Sequence, residues 1–119
     1  MTLFQKIIDK EIPADIIFED DLSLVFKDIN PQAPVHLLII PKKPIVKVSD
    51  ASEEDKELLG HLMWVAGEVA RQIGVEDTFR LVVNNGAKAG QSVFHVHIHL
   101  LSGRPFSVSY THLTLPTKA

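Results

Sequence analysis

The stretch Val93-Phe94-His95-Val96-His97-Ile98-His99-Leu100-Leu101 carries the strongest structural signal in this chain. Three histidines stand at every second position of an otherwise apolar run. Because side chains alternate between the two faces of a strand, this spacing predicts a β-strand over 93–101 with all three imidazoles on one face. Placing three titratable rings side by side costs solvation energy, so such a cluster indicates a functional site.

The rest of the chain predicts a small α+β domain around this strand. Prolines, glycines and the spacing of apolar residues divide the chain into helices and strands. We expect helices over 2–10 and 50–73, and strands over 14–19, 22–29, 36–40, 78–83 and 93–101. Thr2 and Gln5 have the spacing of a capping box at the start of the short helix. Consecutive strands favour an antiparallel sheet with the helices on one face.

The long helix has its own boundary signals. Either Asp50 with Glu53 or Ser52 with Asp55 has the spacing of an N-terminal cap, and Gly74 predicts the end of the helix. An apolar stripe at helical spacing predicts the buried face, formed by Leu59, Leu62, Met63, Ala66, Ala70 and Ile73.

The composition restricts the class of protein. With 119 residues, of which 45% are hydrophobic and 23% charged, the chain suits one domain with its own core. A formal net charge of -3 without a basic block argues against binding to a nucleic-acid backbone. The absence of cysteine excludes disulfide and thiol chemistry. Without a signal peptide or an apolar run of membrane-spanning length, we expect a soluble cytoplasmic protein that contacts no membrane.

Three interpretations of His95, His97 and His99 compete. A metal site would add His36 as a ligand, but His95 and His99 lie roughly 13 Å apart along a strand and do not easily share one ion. A structural role would place the three rings on a solvated face. Nucleophilic catalysis at phosphorus suits them best, because imidazole is neutral and nucleophilic near neutral pH. This interpretation requires no metal and no other cofactor, and on the residues alone the other two interpretations stay open.

The segment 84–92 precedes the histidine strand and is rich in small residues. Gly90 allows the backbone to approach a ligand closely, and backbone N–H groups in such turns can cradle an anion. Alone, the segment is equally typical of a hairpin turn. Next to three histidines it predicts the rim of a phosphate site.

The last residues, 108–119, look foreign to the domain. Residues 108–117 can be back-translated into DNA that resembles a transposon-based sequencing adaptor. We therefore expect a native domain over 1–107 and a non-native tail over 108–119, in which His112 has no functional role. Resequencing the source DNA tests this expectation, and a non-adaptor sequence at that place would contradict it.

The motif His95-Val96-His97-Ile98-His99-Leu100-Leu101 resembles the His-φ-His-φ-His-φ-φ signature of the histidine triad (HIT) superfamily, in which φ is apolar. The wider chain is similar to the Hint branch, the histidine triad nucleotide-binding proteins, from Phe4 to about Arg104. The segments that carry this similarity are 7–13, 18–21, 28–36, 40–43, 59–63 and 90–94. The resemblance implies a HIT-like fold, a five-stranded antiparallel sheet with one long and one short helix. It also implies a homodimer whose sheets join into one continuous ten-stranded sheet.

The resemblance further implies an activity, the hydrolysis of the P–N bond of adenosine or guanosine 5′-phosphoramidates. In that mechanism the middle histidine, here His97, attacks the α-phosphorus and is transiently nucleotidylated before water releases the nucleoside monophosphate. The backbone carbonyl of His95 orients His97, while His99 and Ser92 meet the phosphate and the leaving group. His36 supports the triad from behind.

The nucleotide contacts are implied in the same way. Asp28 would receive both ribose hydroxyls, and Asn84, Gly90 and Gln91 would line the phosphate side together with Ser92. The apolar wall on the base side would be formed by Phe4, Ile7, Phe26, Ile29 and Leu38.

Simpler roles and other functions stay open. Asp28 could be an Asx-turn residue ahead of Asn30-Pro31, and Phe26 and Leu38 fit a strand core equally well. The alternatives at the level of function are a non-catalytic purine-nucleotide-binding module, a metal-binding or protein-interaction protein, and a dinucleoside polyphosphate hydrolase. The pair Gln91-Ser92 favours the Hint branch over the last of these.

Overall fold

The computed structural model describes residues 1–106. The predicted tail over 108–119 therefore lies outside the described residues. Within this part of the chain, two α-helices and five strands follow one another in this order: α1 (Leu3–Ile8), β1 (Ile16–Glu19), β2 (Ser23–Lys27), β3 (Val35–Pro41), α2 (Lys56–Ile73), β4 (Arg80–Val82) and β5 (Ile98–Ser102). The predicted α+β class and the five strands are confirmed.

The five strands form one antiparallel sheet in the order β1-β2-β3-β5-β4. Phe26 of β2 faces Leu38 of β3, and Leu38 faces His99 of β5. This register places the three side chains in one row across the centre of the sheet. The third histidine of the motif therefore adjoins the apolar residues that the resemblance assigned to the base side.

The two helices cover opposite faces of the sheet. Val25, Leu37 and Ile39 pack with the buried side of α2, whereas α1 packs on the other face against a group with Leu24 and Phe26. The expectation that both helices lie on one face is therefore wrong. Neighbouring residues of β2 and β3 are apolar on both faces, so each face requires a cover.

Helix α2 begins later than predicted, at Lys56, after two short 3-10 turns over Val48–Asp50 and Glu53–Asp55. Ser52 and Asp55 form the capping box, which decides between the two predicted caps. Gly74 ends the helix with a φ of 81°, in the left-handed region that glycine adopts at low cost.

The buried face of α2 is rotated from the predicted stripe. Met63 and Ile73 are 55% and 38% exposed, while Val65 and Val69 are fully buried beside Leu62. Leu62, Val65 and Val69 follow the i, i+3, i+7 spacing of one helix face, and that face is the one that packs on the sheet.

Strand β5 begins at Ile98, five residues after the predicted start of the histidine strand. The backbone N–H of Val96 donates to the carbonyl of Ile45 at 2.7 Å rather than to β3. The carbonyl of His95 is occupied by the ring of His97 at 2.8 Å. The first two histidines therefore lie in a buried segment outside the hydrogen-bonded sheet, and only His99 belongs to the strand.

No helix within residues 1–106 is both long and apolar enough to cross a bilayer.

Candidate active site

The ring of His97 is held by a bond to the chain just before it. Its Nδ1 lies 2.8 Å from the backbone carbonyl oxygen of His95, the contact that the family resemblance implied. A carbonyl only accepts hydrogen bonds, so Nδ1 carries the proton and donates it. Nε2 is then an unprotonated nitrogen with a free lone pair, which is the state that a nucleophilic imidazole requires.

His95 is buried behind His97 and lies outside the walls of the two cavities that adjoin the histidines within residues 1–106. Its Nε2 donates to the carbonyl oxygen of Pro41 at 2.7 Å, at the end of β3. The ring of Phe4 contacts both histidines edge-on, with centroids 6.2 Å from His95 and 5.0 Å from His97. His95 thereby fixes the segment that supplies the carbonyl to His97.

A second chain of hydrogen bonds fixes His36 and His99. The backbone N–H of Gln32 donates to Nδ1 of His36 at 3.0 Å, so that nitrogen carries no proton. The proton of neutral His36 is therefore on Nε2, which lies 2.9 Å from Nδ1 of His99. His36 donates and His99 accepts, which leaves the proton of His99 on its own Nε2.

All four imidazoles are held in the neutral form. Burial lowers the pKa of His95, His97 and His36 below their ordinary value, because desolvation disfavours the charged ring. Burial together with the neighbouring His97 and His36 lowers the pKa of His99 to about 4. Neutral rings have one donor and one acceptor nitrogen each, so the hydrogen bonds above determine every tautomer.

Asp28 lies between the β2 end and this histidine pair. Its Oδ1 accepts from the backbone N–H of Asn30 at 2.8 Å, which is the Asx-turn contact, and its Oδ2 lies 3.4 Å from Nε2 of His36. The carboxylate also lines both cavities of the site. The simpler role and the proposed ribose contact are therefore compatible.

Asp28, His36 and His99 bring three atoms of the kinds that ligate metals within 4.8 Å of one another. A metal ion at this place would need the lone pair of His36 Nε2. The N–H of Gln32 instead leaves the lone pair on Nδ1 and the proton on Nε2. The hydrogen bonding of this cluster therefore does not suit a metal ion.

An apolar cavity of about 350 Å³ opens between α1, β2 and the histidines. Most residues assigned to the nucleotide from the resemblance lie on its wall, namely Phe4, Ile7, Phe26, Asp28, Ile29, Leu38, Ser92, His97 and His99. Ile29 is 86% exposed and stands at the rim. An apolar pocket bordered by one carboxylate suits a base with its ribose.

A second, more polar cavity of about 320 Å³ adjoins the first. The two share the four residues Asp28, Asn30, Ser92 and His99, so they meet beside the histidines. The other residues on its wall are Gln32, His36 and Gly90.

Two predicted contact residues lie outside the walls of both cavities. Gln91 is buried, and its amide serves the 84–92 loop: it accepts from Gly86 N–H at 2.8 Å and donates to the carbonyls of Val46 and Val93. Asn84 is half-buried beside Gly90, whose φ is 104°. Both side chains shape the loop that presents Gly90 and Ser92.

Several residues on the cavity walls were not predicted from the sequence. The first cavity is also lined by Leu3, Ile12, Pro13, Ala14, Lys27, Asn30 and Val93, and the second by Gln32. Asn30 lies two residues after Asp28 and donates its backbone N–H to that carboxylate, so it could have been inferred from the predicted Asx turn. Gln32 gives no signal, because its contribution to His36 is a backbone N–H that any residue except proline provides.

Comparison with known proteins identifies the family of the chain. Residues 9–106, which include the four histidines of the candidate site, match the HIT domain family. An uncharacterized HIT-like protein of Synechocystis sp. is 63% identical over 106 residues, which cover 89% of this chain and 93% of that protein. The purine nucleoside phosphoramidase of Escherichia coli K12 is 48% identical over 112 residues, which cover 93% of this chain and 94% of that enzyme.

Solved structures give the same assignment. A HIT family hydrolase from Legionella pneumophila Philadelphia 1 superposes with a TM-score of 0.88 at 45% identity, covering 92% of this chain and 98% of that one. A HIT family hydrolase from Clostridium thermocellum superposes with a TM-score of 0.86 at 44% identity, covering 89% of this chain and 93% of that one. Fold, histidine motif and sequence therefore agree, and the chain belongs to the HIT domain family.

Proposed function

We propose that this protein is a purine nucleoside phosphoramidase, which hydrolyses the P–N bond of adenosine or guanosine 5′-phosphoramidates through a nucleotidyl-His97 intermediate. The observation that carries the proposal is the tautomer of His97. Its Nδ1–H is committed to the His95 carbonyl, so the lone pair is on Nε2 in a ring that lines the apolar cavity. The 48% identity to the Escherichia coli purine nucleoside phosphoramidase supports the same reaction.

The apolar cavity suits the nucleoside part of such a substrate. The purine lies between α1 and the sheet, where Phe4 and Phe26 meet edge to face with centroids 5.4 Å apart. The carboxylate of Asp28 accepts the two ribose hydroxyls as hydrogen-bond donors. This arrangement places the 5′-phosphate next to His97 and His99, where the two cavities meet.

The phosphate is held by donors only. The Nε2–H of His99 donates to a phosphoryl oxygen, and because this ring is neutral it makes that bond without an ion pair. Ser92, which lines both cavities, offers a hydroxyl to the phosphate or to the leaving nitrogen. Donors aimed at the phosphoryl oxygens stabilise the charge that develops as the nucleophile attacks.

The reaction then takes two displacements at phosphorus. In the first, Nε2 of His97 forms a bond to phosphorus, the P–N bond breaks, and the amine departs with one proton taken up from solvent. In the second, the oxygen of water forms a bond to phosphorus, the water returns one proton to solvent, and the bond to His97 breaks, which restores the lone pair on Nε2. One water is consumed, and one nucleoside monophosphate and one amine are released.

The test is turnover of an adenosine 5′-phosphoramidate with a fluorogenic amine, measured in the presence of EDTA. His97→Ala should lose at least about a thousandfold in kcat/KM, because no other group supplies the nucleophile. His61→Ala is the matched control, since this histidine bonds Asp20 at 2.7 Å and lines neither cavity. It should retain turnover.

A rapid-quench experiment followed by intact-protein mass spectrometry should detect a nucleotidyl adduct on the wild type and none on His97→Ala. Turnover that requires a metal, or that survives in His97→Ala, would contradict the mechanism. Binding of AMP without any turnover would show a non-catalytic nucleotide-binding module. A strong preference for dinucleoside polyphosphates over the phosphoramidate would assign the protein to that class of hydrolase.

A further inference from the structure

A hydrogen-bonded path leads from the end of β5 to the histidines of the site. The guanidinium of Arg104 donates from Nε and Nη2 to the backbone carbonyl of Gln32, at 3.2 Å and 3.0 Å. The backbone N–H of the same Gln32 donates to His36, and His36 donates to His99. Arg104 itself lines neither cavity.

Gly103 makes this contact possible. Its φ is 96°, and a Cβ at this position would lie 2.8 Å from Cβ of Pro34. The turn after β5 therefore lies directly against the loop that connects β2 and β3. Only glycine allows both this conformation and this approach, which brings Arg104 within reach of Gln32.

The two polar groups of Gln32 flank one Cα, so a restraint on its carbonyl also restrains its N–H. Released from Arg104, the exposed loop gains freedom, and the N–H loses its alignment with His36 Nδ1. His36 can then carry its proton on Nδ1 and accept from His99. In that arrangement the Nε2 of His99 has a lone pair instead of a proton, and a lone pair repels an anionic phosphate.

We propose that Arg104 is a positioning residue of the active site, which acts through Gln32 and His36 to keep the proton of His99 on the nitrogen that faces the phosphate. The proposal rests on the phosphoramidase function, in which that nitrogen donates to the substrate. Its consequence is selective. Loss of Arg104 weakens contacts to the phosphate more than contacts to base and ribose.

The test compares Arg104→Gln and Arg104→Lys with Arg71→Gln, a surface arginine of α2 paired with Glu68. Long-range 1H–15N spectra of the protein with 15N-labelled histidine report the tautomer of His99 directly, with no substrate present. We expect a single Nε2–H form in the wild type and in Arg71→Gln, and a mixture in Arg104→Gln. Arg104→Lys should restore the wild-type form in part, because an ammonium group can also donate to the Gln32 carbonyl.

Affinity gives the second readout. In Arg104→Gln the affinity for AMP should fall about tenfold, the size of one hydrogen bond to a charged group, while the affinity for adenosine falls by clearly less. Gly103→Ala should give the same split, because it moves Arg104 without removing it. An unchanged His99 tautomer in Arg104→Gln, or equal losses for AMP and adenosine, would overturn the proposal.

The two proposals fail in distinguishable ways. If the tautomer of His99 shifts but no variant turns over a phosphoramidate, the positioning role stands and the proposed reaction is wrong. If the wild type turns over the phosphoramidate and Arg104→Gln leaves both tautomer and affinities intact, the reaction stands and the positioning role is wrong.

Discussion

At His99, burial and the hydrogen bond from His36 act in the same direction on one imidazole. Desolvation disfavours the charged ring. The hydrogen bond from His36 also occupies the lone pair of His99 Nδ1, so that nitrogen cannot bind a proton without losing the bond. The fold therefore holds this histidine neutral, and its protonation opposes folding.

The consequence is a stability that falls in mild acid. The pKa of His99 is lowered from 6.5 to about 4 on folding, so between these values the unfolded chain binds the proton and the folded chain does not. The free energy of unfolding should rise as the pH rises from about 4 to about 6.5, and the contribution of His99 should be constant above that window. Urea unfolding of the wild type and of His99→Asn across this range measures it.

His99→Asn removes the titrating group and keeps an acceptor for His36. As the pH falls from neutral to 4, the free energy of unfolding of His99→Asn should therefore gain on that of the wild type by an amount on the order of 3 kcal/mol. Ionisable groups that do not contact His99 contribute equally to both proteins and cancel in the difference, which therefore reports His99 together with its coupling to His36 and His97. Parallel curves for the two proteins would contradict the assignment of this effect to His99.

The histidines and the carboxylate that meet at the candidate site were predictable from the sequence, but the protonation of the histidines was not. The period-two spacing indicated His97, and the family resemblance added His36 and Asp28. Which nitrogen carries each proton depends on Gln32 N–H and on the carbonyls of His95 and Pro41. These are backbone groups. Every residue has the carbonyl and every residue except proline has the N–H, so no sequence pattern marks them.

At the scale of elements, the rotated face of α2 gives a prediction from two adjacent residues. Leu62 is fully buried against the sheet, whereas Met63 is 55% exposed. Leu62→Ala should lower the free energy of unfolding by about 3 kcal/mol, since it removes buried methyl groups and leaves a cavity. Met63→Ala, the matched control, should cost less than about 0.5 kcal/mol. Equal losses in urea unfolding would show that both side chains are buried.

The number and kind of elements were predictable, and their ends and faces were less so. Proline and glycine marked the breaks, as at Gly74, because these residues act locally. The start of β5 was missed because the segment 93–97 is as apolar as a strand but bonds elsewhere, through Val96 to Ile45. Met63 was assigned to the core because two overlapping stripes of α2 are apolar, and only the position of the sheet selects between them.

At the scale of the whole molecule, the two edges of the sheet differ. Strand β1 has an irregular register between Ile16 and Phe18, and its Glu19 forms ion pairs with Lys10 and Lys42. Such bulges and charges blunt an edge against pairing with another strand. Strand β4 pairs regularly with β5 along its whole length, so its outer side is the better template for a second copy.

We therefore expect the homodimer that the family resemblance implies to join the two β4 edges. Val83→Lys places a charge directly after β4, at a residue that is 42% exposed, and in a two-fold interface the two charges approach each other. Sedimentation equilibrium should give twice the chain mass of 13.2 kDa for the wild type and a mass close to 13.2 kDa for Val83→Lys.

The control is Ile16→Lys, which adds the same charge to the opposite edge, at a residue with 36% exposure. This variant should keep the mass of a dimer. A monomeric wild type would refute the homodimer, and dissociation by Ile16→Lys instead of Val83→Lys would place the contact on β1.

Helix α1 has only six residues, and a helix of that length has no stability of its own in water. It is held by Phe4 and Ile7, the same two side chains that form a wall of the apolar cavity. A purine seated there would supply further contact area to the helix. Folding of α1 and binding of a nucleotide in the pocket are therefore thermodynamically coupled. A protease that cuts the first turn competes with the nucleotide, and each bound nucleotide protects that turn from cleavage.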